Sequence, residues 1–401
     1  MKRRTDLSRP RAGALVSGLI AVVCGLVTCL VALPGALALP QSSSAAQTGS
    51  ELSQKNAWRL FRGDASLTGV AMGELPDNPA PMWVFEAEDS IESTAAIADG
   101  VAYVGSLDSH FYAIDLESGE LRWKYQASME IRSSPTVIDG TVYFGDEGGQ
   151  FHALDAGTGK LEWVFDTGAG IISGANYFDG RLVFGSYDNS LYCLDATDGS
   201  LIWKLETLGY VNGTPAIVDG KVISVGCDGF CRVVRLEDGT PLMDIEVYAY
   251  VGASPAIRNG IAYFGTFENQ VLAISVITGE LQWIYEHPTR KFPYYSSAAI
   301  AGDRVFVGGR DKMLHAIDAE SGEAIWTYRT RARIDSSPVV VGDRVFFGAS
   351  TGEVFALDVA SGEVAWQFET GSSIVASPSV AAGKLVIGTE DGQVYCFGEA
   401  Q

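Results

Sequence analysis

A tryptophan recurs along this chain every 40 residues. It stands at Trp83, Trp123, Trp163 and Trp203, yields one slot to Met243, and returns at Trp283, Trp326 and Trp366 after a single step of 43. Other columns keep the same period. A turn pair repeats at Asp99-Gly100, Asp139-Gly140, Asp179-Gly180, Asp219-Gly220 and Asn259-Gly260. An aspartate repeats at Asp115, Asp155, Asp195, Asp318 and Asp358, and a glycine four residues later at Gly119, Gly159, Gly199, Gly322 and Gly362. A fixed period of this length means one supersecondary unit used many times.

Each unit reads as four strands. In the second they are 133–138, 141–145, 150–155 and 160–165. Asp-Gly joins the first two, the pair that best supplies two left-handed residues to a tight hairpin. Four-stranded antiparallel units in series arrange radially as a β-propeller. Seven units are complete. An eighth starts near Ala376 and ends near Phe397 without a tryptophan strand. The strand around Trp83 stands alone at the other end, so pairing the two closes an eight-bladed ring and removes two sheet edges. The expectation is all-β, with a monomeric closed ring.

The formal charge is −21, and −25 once the basic N-terminus is set aside. A body this acidic repels phosphate backbones, which argues against a nucleic-acid partner. Lys2 to Arg11 precede an uncharged apolar segment, 12–39, that ends in Ala36-Leu37-Ala38. This is the pattern of an export signal, though its length would also span a bilayer. Residues 1–38 are therefore read as a signal peptide or a membrane anchor, which would tether the body if retained. Residues 39–57 read as a flexible linker and 58–401 as the propeller, placed in the periplasm, on the outer face of the cytoplasmic membrane, or secreted.

The run Ala153-Leu154-Asp155-Ala156-Gly157-Thr158-Gly159-Lys160-Leu161-Glu162-Trp163 resembles the repeat of the PQQ-like β-propellers. The lead-in Trp58-Arg59-Leu60-Phe61-Arg62-Gly63-Asp64, with Thr68-Gly69, is similar to that of bacterial members. The family has two relevant branches. PQQ-dependent dehydrogenases carry a quinone and calcium over the axis, but are longer and often have adjacent cysteines, which this chain lacks. The outer-membrane assembly factor resembles a bare eight-bladed ring. The resemblance thus implies a non-enzymatic scaffold that binds envelope proteins, with no cofactor, no metal and no catalytic residue. A PQQ-dependent oxidoreductase, or a ligand- or polysaccharide-binding module, is the alternative.

Specificity must then lie where the repeat is broken. The residue ahead of each first strand varies: Glu92, Arg132, Ile172, Asn212, Gly252, Tyr295, Asp335, Val375. In a propeller the first strand is innermost, so this column should ring the axial opening. The one insertion, 287–295, supplies Arg290, Lys291, Phe292, Tyr294 and Tyr295, and units six and seven add Arg329, Arg331 and Arg333. Arginine with exposed aromatics is a hot-spot composition, so a partner-binding face is expected here. Cys227 and Cys231 flank a hairpin and could form a disulfide in an oxidising compartment. His152 and His315 occupy a column otherwise held by Tyr112, Tyr192 and Tyr395, and read as structural.

Overall fold

The computed structural model describes residues 55–400. The anticipated signal or anchor, and the linker up to residue 54, lie outside them. Eight antiparallel sheets follow one another along the chain. Blade 1 comprises Ala96–Ala98, Val101–Gly105, His110–Asp115 and Leu121–Gln126, and blades 2 to 7 repeat this order. Blade 8 has three strands of its own and takes Ala80–Glu86 as the fourth, paired against Gln393–Gly398. The ring is closed as the orphan Trp83 strand predicts.

First strands of neighbouring blades touch, so they line the axis. They are shorter than expected. In blade 2 the strand begins at Thr136 rather than Ser133, because Pro135 has no N–H to give a ladder. The two middle strands, such as Val142-Tyr143-Phe144, are buried on both faces. Each apolar cluster accordingly joins residues of adjacent blades, as Phe111 of blade 1 with Phe144 of blade 2.

The recurring residues perform structural work. The Trp123 indole donates to Ala156 O of the next blade at 2.9 Å, and Trp83, Trp203, Trp283 and Trp326 do the same. The next blade's glycine presses on that ring: a Cβ on Gly119 would lie 2.6 Å from Trp83. The recurring aspartates hold the turns between strands three and four. Asp115 accepts from Glu117 N and Ser118 N, which together with Arg122 pull its carboxyl down to about 2. The Asp-Gly and Asn-Gly pairs are left-handed at both residues.

A ring of hydroxyls ties the innermost strands together. Thr94 N donates to Ser134 Oγ, and Thr214, Ser254, Ser297, Ser337 and Ser377 continue the relay to Thr94 Oγ1. It is interrupted only at Gly174. The Ser-Pro pairs of the sequence belong to this ring.

The lead-in closes one end of the axis. Its backbone meets the blades in order. Lys55 O accepts from Ala382 N of blade 8, Trp58 exchanges two bonds with Ile97 of blade 1, and Arg59 O accepts from Val137 N of blade 2. Ala65 O accepts from the Asn176 side chain of blade 3 and from Ile217 N of blade 4. Ser66 O, Thr68 O and Gly69 O then accept from Ile257, Ile300 and Val340 of blades 5, 6 and 7. Val70–Ala71 adds a fifth, parallel strand to blade 7. Among the described residues, Lys55 already contacts the ring.

Candidate functional site at the open end of the axis

Opposite the lead-in, the axis opens as a funnel of about 700 Å³. All eight residues of the variable column line it: Glu92, Arg132, Ile172, Asn212, Gly252, Tyr295, Asp335 and Val375. The reason is topological. Each crossover from an outermost strand to the next innermost strand arrives at the axis at the same height, so positions 40 residues apart meet there. Phe61 of the lead-in and the hydroxyl ring also contribute to the lining.

Two charge clusters line the funnel, one on either side of blade 8. In blades 1 and 2, Arg132 pairs with Glu92 at 2.6 Å and with Glu147. In blades 6 and 7, Asp335 accepts Arg310 through both oxygens at 2.9 and 3.0 Å, and also Arg333 at 2.9 Å. Partial burial opposes the Arg310 charge, but Asp335 outweighs it and raises its pKa above the ordinary guanidinium value. Arg310 also stacks on Tyr295, 3.4 Å from the ring centroid, and Tyr295 stacks on Phe267. The first cluster carries one net negative charge and the second one net positive.

Could this funnel hold PQQ with calcium? Calcium takes six to eight oxygen ligands. Glu92, Glu147 and Asp335 are each engaged by arginine, and among the described residues no group of three or more His, Cys, Asp or Glu side chains could hold a metal ion. These three carboxylates already answer arginine cations rather than standing as a free calcium-ligand set.

The other anticipated residues divide. Arg331 projects from the crossover into blade 7, highly exposed, with Glu353 at 3.1 Å. Arg329 is exposed at the end of blade 6's outermost strand. In the insertion, Arg290 donates to Asp311 O at 3.0 Å and Lys291 pairs with Glu286, so these cations are engaged locally, while Phe292 is exposed. Tyr294 is a correction. It is 1% exposed and packs on His315, so it offers nothing to a partner. It occupies the column of Ile91, Ile131, Ile171, Val211, Val251, Ile334 and Ile374, all buried. Its place follows from Tyr295, which the sequence sets in the neighbouring variable column, but its residue type suggested an interface aromatic.

The anticipated Cys227–Cys231 bridge is also corrected: both are free thiols. Cys231 sits on a strand opposite Val225, buried in the core between blades 4 and 5. Cys227 lies in the loop before it, where its sulfur meets the Asn212 amide at 3.2 Å. His152 and His315 are structural as expected. Each is buried and pairs with a loop aspartate, Asp146 or Asp311, at 3.1 Å, the partner that Tyr112 and Tyr192 reach with a hydroxyl.

One feature was missed in the sequence. Leu208 and Tyr248 are 82% and 81% exposed, with Tyr210 and Tyr250 also exposed beside them. They occupy the crossovers into blades 4 and 5, next to Phe292 and then Arg331 and Arg333. The equivalent positions elsewhere are Ser128 and Glu130, Gly168 and Gly170, Gly371 and Ser373. Aligning crossovers, rather than strands, would have exposed this arc.

A family model described as outer membrane protein assembly factor BamB matches residues 42–176, 166–292 and 290–398. The chain belongs to this family of β-propellers. Its fold is similar to BamB from Moraxella catarrhalis (TM-score 0.68, 18% identity, 80% of this chain and 98% of that one). It is equally similar in kind to the quinohemoprotein alcohol dehydrogenase of Comamonas testosteroni (TM-score 0.76, 14% identity, 90% and 83%). In sequence, quinohemoprotein alcohol dehydrogenase ADH IIB of Pseudomonas putida is 31% identical over 80 residues, 18% of this chain and only 12% of that protein. A computationally designed protein, Ika8, shares the fold as well (TM-score 0.71, 17% identity, 80% and 99%). A ring found in a dehydrogenase and in a designed protein does not by itself carry an activity.

Proposed function

We propose that this chain is a non-enzymatic, protein-binding scaffold of the bacterial cell envelope. The observation that carries this reading is the arc on the funnel face, where Leu208, Tyr210, Tyr248, Tyr250 and Phe292 are exposed beside Arg331 and Arg333. Large aromatics and arginines at the solvent boundary are the composition of interface hot spots, and contiguous exposed apolar surface marks contact sites. Membership of a family described as an outer membrane assembly factor supports an envelope setting. The apolar quadrant suits an aromatic or aliphatic protein segment, and the adjoining arginines suit acidic residues on it.

Two experiments test the reading. The exported protein is used to capture partners from an envelope extract, alongside a Tyr248→Ala/Leu208→Ala variant and an Arg331→Glu/Arg333→Glu variant. Both variants are expected to lose the partner set while keeping the thermal melt of the parent. An unchanged partner set sinks the proposal. The rival reading, a PQQ-dependent oxidoreductase, rests on the local match to ADH IIB. It is tested by titrating with PQQ and Ca²⁺, following absorbance and thermal shift. Saturable binding would replace the scaffold reading.

A further inference from the structure

The contacts of the lead-in have the character of ligand recognition. Between Lys55 and Gly69 the segment offers backbone carbonyls, and the ring answers with N–H groups of Ala382, Ile97, Val137, Ile217, Ile257, Ile300 and Val340. Six of those donors sit at the same middle position of their innermost strands, in blades 1, 2 and 4 to 7, while Ala382 donates from just past the blade 8 strand. On blade 3 the Asn176 amide does the same work. Pairing of a segment's backbone groups with those presented on strands is a general mode of peptide capture; here the segment winds through turns, so its carbonyls reach successive blades.

Side chains add selectivity. Arg62 is 1% exposed, and its guanidinium donates to Ala298 O at 3.0 Å and to Pro338 O, between blades 6 and 7. Its Nε and Nη1 have no protein partner. Trp58 and Leu67 are buried in the inter-blade cores at two other points of the ring. Arg62 and Leu67 both hold left-handed backbone, with φ of 65° and 59°. Non-glycine residues rarely take that conformation unless their surroundings impose it. The segment's own contribution is a loop in which Asp64 accepts from Ser66 N and Thr68 N.

We infer that the closed end of the axis is a peptide-binding site in its own right, and that residues 55–71 are its built-in, exchangeable occupant. The site recognises the outward carbonyls of a looped peptide and reads one arginine. Covalent attachment keeps it filled, because a tethered ligand acts at high effective concentration. A second copy's lead-in, or any peptide sharing the arginine and its spacing, is the class of ligand that competes.

The test uses the full chain with a protease site inserted between Asp77 and Asn78, both exposed. After cutting, the N-terminal fragment is expected to stay with the ring on size exclusion. A labelled synthetic peptide of residues 55–77 should then exchange into the nicked protein, at a temperature below the ring's melt. The same peptide with Arg62→Ala should compete roughly tenfold more weakly or worse, the scale expected for losing charged hydrogen bonds. The uncut protein should take up no peptide. Three results would overturn the inference. The Arg62→Ala peptide could compete equally well, the peptide could fail to enter under every condition that keeps the ring folded, or the ring could lose its β circular dichroism on cutting. The last would make the segment part of the fold rather than its ligand.

Discussion

The two ends of the axis are built from the same eight strands and solve opposite problems. At the closed end one looped segment meets every blade through its backbone carbonyls, with Trp58, Arg62 and Leu67 buried. At the open end the blades contribute eight different residues, seven of them with side chains, and the crossovers beside them expose Leu208, Tyr248 and Arg331. A repeat gives every blade the same backbone, so backbone recognition can run round the whole ring. Side-chain recognition can differ only where the repeat is allowed to vary. The closed end therefore bears on stability and the open end on specificity.

The sharpest separation should come from Trp58→Ala. Removing an almost fully buried indole is expected to cost about 3–5 kcal/mol in chemical denaturation, while the protein that remains folded captures its partners normally. A loss of capture at equal folded protein would merge the two ends into one function. Next in size is a pair of glycines with nearly equal φ, Gly119 at 74° and Gly100 at 75°. Gly100→Ala meets nothing within 4 Å and should cost about 1 kcal/mol of left-handed strain, whereas Gly119→Ala drives into Trp83 and should cost about 2–3 kcal/mol. Equal melts for the two would show that the tryptophan–glycine contact does not lock the blades.

Acid should act through the turns rather than through either end. Hydrogen bonds to backbone and hydroxyls, and for Asp115 also Arg122, hold Asp115, Asp155 and Asp358 below the ordinary carboxylate pKa of 3.8. A carboxylate depressed in the folded state adds stability that is present above its unfolded pKa and lost as pH falls through its folded value. Melting temperature should therefore drop as pH falls from about 4 toward about 2, the latter set by Asp115, and Asp115→Asn should flatten part of that slope. The smallest effect on stability is expected at the arc. Tyr248→Ala should change the unfolding free energy by less than about 0.5 kcal/mol, and yet weaken partner capture by about 1 kcal/mol or more.

Blade count, hairpins, inter-blade tryptophans and turn aspartates were all legible in the sequence. So was the column from Glu92 to Val375, because its neighbours repeat while it varies. Where reasoning by residue type replaced reasoning by column, it erred. Tyr294 looked like an interface aromatic but is a core residue in the column of Ile91 and Ile334. Cys227 and Cys231 are close in sequence, yet one side chain is committed to the core and the other to Asn212.

What the sequence alone determined is whatever a repeat and its turns encode locally: eight four-stranded blades and a ring closed by the strand of Trp83. Left-handed pairs, alternation and a 40-residue period act within a blade or between neighbours, so they can be read along the chain. The tertiary structure alone decided which variable positions share a surface and where the lead-in goes. Closing the ring puts the Arg310, Arg333 and Asp335 cluster and the Glu92 and Arg132 pair in the lining of one funnel. It also lines up the inner-strand donors that hold residues 55–71. No local pattern carries that information, because the donors exist as a set only once all eight blades surround one axis.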